Sequence, residues 1–323
     1  MLLAKGRQNP IKALYRMPFD WYEKWSTSFA DSIVVNSGFT KSVVEKQWPG
    51  MTKKKELEIV YPCVDVSPPK ESKEDNDLEW RDKNIILSIN RFEEKKNIEL
   101  SIKAFAGLPK RAREGVRLVV AGGYDKRVQE NVIYHQDLLL LAEKLGLKTA
   151  STGNIVTALS MPDDVDVLFL MSVPKALKDA LLKSARLLVY TPSNEHFGIV
   201  PLEAMLVGTP VLAANTGGPL ETVVDGETGW LRDPEDTDKW TEVMDMVLHK
   251  LQPKALEEMG ENGKRRVKSV FSEEKMAERL DEIMTVMARR KKLIDTESFT
   301  VLMGTIFLVS ATMFGIWYFV GDW

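Results

Sequence analysis

Residues 187–213 read LLVYTPSNEHFGIVPLEAMLVGTPVLA. The run 187–190 suits a buried strand, the polar stretch after it a loop, 201–206 a helix, and 210–213 a second strand. The same alternation extends upstream, where apolar runs at 85–89, 118–121 and 167–170 are separated by helical patterns at 97–106, 131–145 and 174–184. Strands alternating with helices predict an α/β fold with a parallel sheet wrapped on both faces, which receives ligands at the carboxyl ends of its strands. Further helical patterns follow at 236–250, 254–268 and 273–292.

The 323 residues carry 44 basic and 47 acidic side chains, a net charge of −3, and 44% are hydrophobic. This is the composition of a folded protein, and it offers no polycation for nucleic acid. The single cysteine, Cys63, excludes an internal disulfide and fits a reducing compartment. With no histidine near it in sequence, it reads as buried filler rather than a nucleophile. His135, His196 and His249 are scattered, so an all-protein zinc site is not expected.

Both ends depart from the α/β pattern. Residues 1–30 read as a loop entering an amphipathic helix, with Leu14, Met17, Trp21 and Trp25 spaced for one face. A strand at 32–36, Ser37 as a cap, a helix to about Trp48 and a strand at 57–61 follow. Two strands and two helices cannot cover both faces of a sheet, so 1–66 is expected to be the remnant of a domain. Residues 67–83 (SPPKESKEDNDLEWRDK) have linker composition and mark a boundary before a domain at 84–270 and a helix with a basic flank at 271–295. The stretch 299–320 carries no charge and is long enough to cross about 30 Å of hydrocarbon as a helix. A transmembrane helix is expected there, with Arg289, Arg290, Lys291 and Lys292 keeping the preceding domains in the cytosol.

The loops after the strands carry the candidate chemistry. NRFEEKKN (90–97) sets Arg91 and Lys96 near a helix start, where a guanidinium fork and a mobile ammonium suit a diphosphate. Taken alone, that spacing is also common on solvated helices. Gly122 and Gly123 either let a ligand approach the backbone or make a plain turn. Glu195 lies in the loop after 187–190 and Glu203 in the following helix, so both can line one cleft. The amides of Gly198, Ile199 and Val200 could accept an anion and Glu203 a pair of ribose hydroxyls, leaving Glu195 for a sugar. The plainer alternatives are a solvated carboxylate at Glu203 and a loop histidine without function at His196. Asp164-Val165-Asp166 has the form of a metal motif but precedes a strand, so it reads as coincidence.

Together with Tyr61-Pro62, TGGPLET (216–222) and DGETGWL (225–231), these motifs resemble, in the same order, the retaining glycosyltransferases of the GT-B fold, glycosyltransferase family 4. More narrowly, ALYRMPFDWYEKW (13–25), ADSIVVNSGFT (30–40), SINRFEEKKN (88–97), VAGGYDKRVQEN (120–131) and YTPSNEHFGIVPLEAM (190–205) resemble the α-1,3/1,6-mannosyltransferases of asparagine-linked glycosylation. The resemblance implies a complete C-terminal Rossmann-like domain, a remnant of the N-terminal one, and transfer of mannose from GDP-mannose, with retention, to a dolichol-diphosphate-linked oligosaccharide. It implies the endoplasmic reticulum membrane as location, with the soluble part facing the cytosol and other glycosyltransferases of the pathway as candidate partners. Residue by residue, it implies Arg91 and Lys96 on the diphosphate, Glu203 on the ribose, and Glu195 with the backbone of Phe197, Gly198 and Ile199 toward the mannose and distal phosphate. Gly122 and the Met171-Ser172-Val173 loop would stand close to the donor, the latter at the guanine edge. No metal or other cofactor is expected, because cationic side chains and helix-end amides neutralise the diphosphate. The family's glycine-rich acceptor loop and His-Phe-Pro-Asp-like segment have no counterpart here, so the chain is read as truncated at its N-terminus. Beside the mannosyltransferase stand two alternatives: another cytosol-facing GT-B transferase, and a non-catalytic, membrane-tethered nucleotide-sugar-binding subunit.

Overall fold

The computed structural model describes residues 10–53, 55–67, 84–154, 157–158, 160–289, 303–305 and 309–310. The chain divides into two units, residues 1–280 and 281–323. In the first, β1 (Ile33–Val35) and β2 (Leu57–Ile59) pair in parallel as a two-stranded sheet. A second sheet, also parallel throughout, contains β3 (Asn84–Ile89), β4 (Val116–Gly122), β5 (Thr149–Thr152), β6 (Val167–Met171), β7 (Ala185–Tyr190), β8 (Val211–Ala214) and β9 (Gly229–Arg232). Its order is β5-β6-β4-β3-β7-β8-β9. On one side of β3 the chain places β4 and the edge strand β5, returns to insert β6 between them, and then crosses β3 to place β7 on the other side. The strand order therefore reverses between β3 and β7, and the crevice that this opens at their carboxyl ends is where α/β sheets receive ligands.

The period-two alternation of the central strands fills two cores. Ile85, Leu87, Val119, Leu168 and Leu188 face one side with Leu202 and Met205; Ile86, Leu118, Val120, Phe169 and Leu187 face the other with Phe105, Leu138 and Trp240. The five expected strands are β3, β4, β6, β7 and β8. The two edge strands, β5 and β9, were not expected. β5 is TAST and only partly covered, so it has no apolar run for a pattern to detect.

The helices Ile98–Gly107, Gln129–Lys144, Lys175–Ser184, Ile199–Leu206 and Pro253–Val270 stand where the periodicity puts them. The pattern at 236–250 divides into the α-helix Thr237–Asp245 and a π-helical turn, Met246–Lys250. Near the N-terminus, Pro10–Thr27 and Gly38–Gln47 are helical, and the Ser37 hydroxyl caps the latter by accepting from the Thr40 amide at 2.9 Å. Val35, Val44, Trp48, Met51 and Leu57 form the small core of this part. Cys63, expected as buried filler, is only partly buried.

Helix Glu273–Arg289 runs into the second unit. The expected linker beyond Ser67, the basic flank from Arg290 and most of 299–320 lie outside the described residues. Among the described residues no helix is long and apolar enough to cross a membrane. The transmembrane helix expected at 299–320 falls mostly outside the described residues, of which 303–305 and 309–310 are helical.

Candidate functional site

The loops after β3 and β7 meet at the point of strand reversal. After β3, Phe92 is fully buried against Tyr124, His135 and Phe169, and its carbonyl accepts from Asn131 Nδ2 at 2.9 Å. This anchor leads into a 3-10 turn, Glu94–Lys96, and Asn97 then takes a left-handed conformation (φ 49°) before helix Ile98–Gly107. The buried Thr191 hydroxyl, just past β7, donates to the Lys96 carbonyl at 2.7 Å. Lys96 is consequently fixed by both strands, and its ammonium donates to Glu195 Oε2.

The Lys96–Glu195 pair is largely covered, with side-chain exposures of 18% and 23%. The Tyr190 hydroxyl donates to the same carboxylate oxygen at 3.2 Å. Burial pushes the Glu195 carboxyl up, but the Lys96 ammonium, the Tyr190 hydroxyl and the His196 amide outweigh it and hold the group below the usual carboxylate range. Burial and the Glu195 charge push the Tyr190 phenol well above its ordinary value, so it remains a donor. The result is an ionised carboxylate and a cation side by side at the mouth of the sheet.

Two glycine features shape the loop that carries Glu195. Gly198 caps helix Ile199–Leu206 in a left-handed conformation (φ 84°), and a Cβ there would lie 3.1 Å from the Tyr190 ring. Gly217 and Gly218 admit the loop's own backbone: a Cβ on Gly218 would lie 2.3 Å from Phe197 Cα and O, and the Gly218 amide donates to the Glu195 carbonyl at 2.7 Å. Phe197 is buried, stacking on Tyr61 with 5.7 Å between centroids and meeting Phe271 edge-on.

Glu203 sits in helix Ile199–Leu206, and Lys178, from helix Lys175–Ser184, donates to its Oε1 at 2.5 Å. The other oxygen, Oε2, is buried and has no hydrogen-bond partner among the described residues. Ser172 adopts φ 59°, its amide donating to the Gly122 carbonyl at 2.8 Å and its hydroxyl to the Tyr124 carbonyl at 2.6 Å. Beside it, at the ends of β5 and β6, lies a cavity of about 290 Å³ lined by residues including Thr152, Asn154, Met171, Val173 and Leu177. Ile199 is exposed.

Arg91 stands apart from this cluster. Its guanidinium is 74% exposed and reaches only Glu93, at 3.5 Å; among the described residues no hydrogen bond or ion pair joins it to Lys96 or Glu195. Gly122 has a structural reason to be glycine, since a Cβ would lie 1.9 Å from the Asn90 carbonyl oxygen. Asp164 and Asp166 lie at the amino edge of β6, where they bind the Lys148 ammonium at 2.7 Å and its amide at 2.8 Å, away from the crevice.

Sequence reasoning missed several groups at this site. The Glu221 carboxylate accepts from the Gly38 and Phe39 amides at 2.8 and 2.9 Å, and from the Tyr61 hydroxyl at 3.1 Å. It thereby caps helix Gly38–Gln47 from across the cleft. His196 pairs its Nδ1 with the Thr40 hydroxyl at 2.8 Å, and its carbonyl accepts from the Ser37 hydroxyl. TGGPLET pointed at Glu221 without giving it a role; no sequence signal singled out Lys178.

Comparison with known proteins agrees with this geometry. The profile of the "Glycosyl transferases group 1" family matches residues 70–266. The Alpha-1,3/1,6-mannosyltransferase alg-2 of Neurospora crassa is 57% identical over 297 residues, covering 90% of this chain and 63% of that protein. Its counterpart in Candida albicans is 41% identical over 311 residues, covering 87% of this chain and 69% of that protein. The chain belongs to the group 1 glycosyl transferases, in the α-1,3/1,6-mannosyltransferase family. It spans a little under two thirds of the Neurospora protein's length. Among solved structures, sucrose-phosphate synthase from Thermosynechococcus elongatus superposes with a TM-score of 0.66 at 22% identity, covering 88% of this chain and 64% of that one. Anabaena Alr3699/HepE, solved with UDP and glucose, superposes with 0.62 at 20% identity, covering 80% and 64%. Both similarities establish the GT-B-like α/β fold.

Proposed function

We propose that this chain carries the donor-binding half of an α-1,3/1,6-mannosyltransferase that moves mannose from GDP-mannose, with retention, onto a dolichol-diphosphate-linked oligosaccharide in N-glycan precursor synthesis. The observation that carries this reading is the Lys96–Glu195–Tyr190 cluster at the strand reversal. When a diphosphate enters, the Lys96 ammonium exchanges part of its contact with Glu195 for phosphate oxygens and stabilises the charge that develops on the leaving group. Glu195, ionised and held by Tyr190, faces the sugar as an acceptor for its hydroxyls. The start of helix Ile199–Leu206, with Phe197 and Gly198, offers amides to the distal phosphate.

Retention in this scheme needs no enzymic nucleophile. The acceptor hydroxyl attacks the face that the diphosphate leaves, and the departing phosphate takes the proton. Glu203 receives the ribose, and the cavity beside Met171 and Val173 receives the base. Arg91, exposed on its loop, closes onto the diphosphate only with the donor bound. Neither a metal nor another cofactor is required by this scheme, because Lys96, Arg91 and the amides supply the positive charge. The uncharged stretch 299–320 and its basic flank favour attachment to the endoplasmic reticulum membrane with the domain in the cytosol.

The deciding experiment measures GDP-mannose binding by calorimetry and transfer to a lipid-linked mannose acceptor, for this chain and its Lys96→Ala variant. Binding that Lys96→Ala weakens about a hundredfold supports the reading. Binding unchanged in the variant would refute it, and binding without transfer by either protein would favour the non-catalytic alternative.

A further inference from the structure

Lys178 has no role in anything derived above except its contact with Glu203. That contact joins two helices, Lys175–Ser184 after β6 and Ile199–Leu206 after β7, whose side chains meet beside the donor cleft. The two side chains are about equally covered, at 25% and 26% exposure, so the pair is shielded from bulk water far more than a surface ion pair. Lys178 holds Glu203 Oε1 at 2.5 Å, while Oε2 is buried with no hydrogen-bond partner among the described residues. A carboxylate held on one oxygen by a cation is locked in rotation about its last torsion. It is also neutralised, which lowers its repulsion toward an incoming anion.

Each carboxylate oxygen has two acceptor positions. Oε1 can therefore serve Lys178 and one hydroxyl together, and Oε2 a second hydroxyl. A neighbouring pair of hydroxyls on a five-membered sugar ring fits this demand. Without Lys178, Glu203 would lose the cation bonded to Oε1 and would be free to rotate instead of presenting two fixed acceptors.

We propose that Lys178 is a positioning residue for the nucleotide ribose, fixing the Glu203 carboxylate so that both oxygens accept from the ribose 2′- and 3′-hydroxyls. This rests on the reading of the cleft as a GDP-mannose site with Glu203 at the ribose. The prediction that separates positioning from general support is selectivity between ribose and 2′-deoxyribose donors.

The experiment measures, on the full chain, calorimetric dissociation constants for GDP-mannose and 2′-deoxy-GDP-mannose with wild type, Lys178→Ala, Lys178→Arg, Glu203→Ala and the Lys178→Ala/Glu203→Ala double variant. Thermal melts check folding of each. The wild type is expected to prefer the ribose form about tenfold, one charged hydrogen bond's worth of discrimination. Lys178→Ala should weaken GDP-mannose binding about tenfold while changing binding of the deoxy form much less; Lys178→Arg should stay close to wild type. In the Glu203→Ala background, removing Lys178 should add little, because the lysine acts through the carboxylate. Equal weakening for both donors, or no weakening, in a folded Lys178→Ala protein would overturn the inference while leaving the donor site standing. If Glu203→Ala also kept full affinity and full ribose preference, the assignment of Glu203 to the ribose would fall with it.

Discussion

Two lysine–carboxylate pairs sit at opposite edges of the same sheet. At the carboxyl edge, Lys96 and Glu195 are mostly covered, with exposures of 18% and 23%. At the amino edge, Lys148 and Asp164 stand in water, at 67% and 62%. In both, a lysine draws the carboxyl below its ordinary range. The chemistry of the pairing is the same, and what differs is support. Lys96 is anchored through the buried Phe92 and Thr191, and Glu195 is bonded to the buried Tyr190 and framed by two glycines. Asp164 has its lysine, its own amide and the charge of Arg117, and its side chain stays largely exposed. A constellation that can hold a ligand is thus distinguished by the buried groups behind it rather than by the residue types in front, and the Asp164-Val165-Asp166 pattern lacks such backing.

The most severe test of that contrast is Gly218→Ala. A Cβ 2.3 Å from the Phe197 backbone has no flexible neighbour to displace, so the loop bearing Glu195 must move; about 3 kcal/mol of stability should be lost by denaturant unfolding. An unchanged midpoint would mean that the loop is not held by backbone approach. Next in size, Lys96→Ala should weaken GDP-mannose binding about a hundredfold, measured by calorimetry in low salt, since the lost contact is a charged bond in a covered site.

A pH series sharpens the comparison. Glu195 is held ionised in the fold below the usual carboxylate range, so its contribution is complete above about pH 4, its unfolded value, and is lost as pH falls through the depressed folded value. The stability gap between wild type and Glu195→Gln should therefore be constant near neutrality and close in acid. A gap that widened in acid would contradict the assignment. Smallest of all, Lys148→Ala should leave both the melting temperature and donor affinity unaltered, because the pair is largely exposed to solvent. A loss of donor binding there would erase the difference between the two edges.

The central strands were legible because each is buried on both faces and so written as an unbroken apolar run, as in VLFLM at β6. β5 was invisible for the converse reason: an edge strand with half its surface open can be TAST. At the site, the loops that carry Lys96, Glu195 and Glu203 could be placed from strand ends alone, and the two glutamates do lie in one loop–helix segment. The partners of those residues could not be found that way. Lys96 meets Glu195 across 99 positions of chain and Tyr61 meets Glu221 across 160, separations that no local pattern encodes. Arg91 stands on the expected loop with its side chain largely exposed and its guanidinium paired with Glu93.

The stacked rings of Tyr61 and Phe197 have a mechanical meaning. Tyr61 follows β2 by two residues, and Phe197 follows Glu195 by two. The Tyr61 hydroxyl is also tied to the same carboxylate that caps helix Gly38–Gln47. A tilt of the two-stranded sheet would press on the ring of Phe197, whose backbone is two residues from Glu195. The β1–β2 part is thus coupled to the Glu195 loop through the Tyr61–Phe197 stack and the Ser37 and Thr40 contacts to His196.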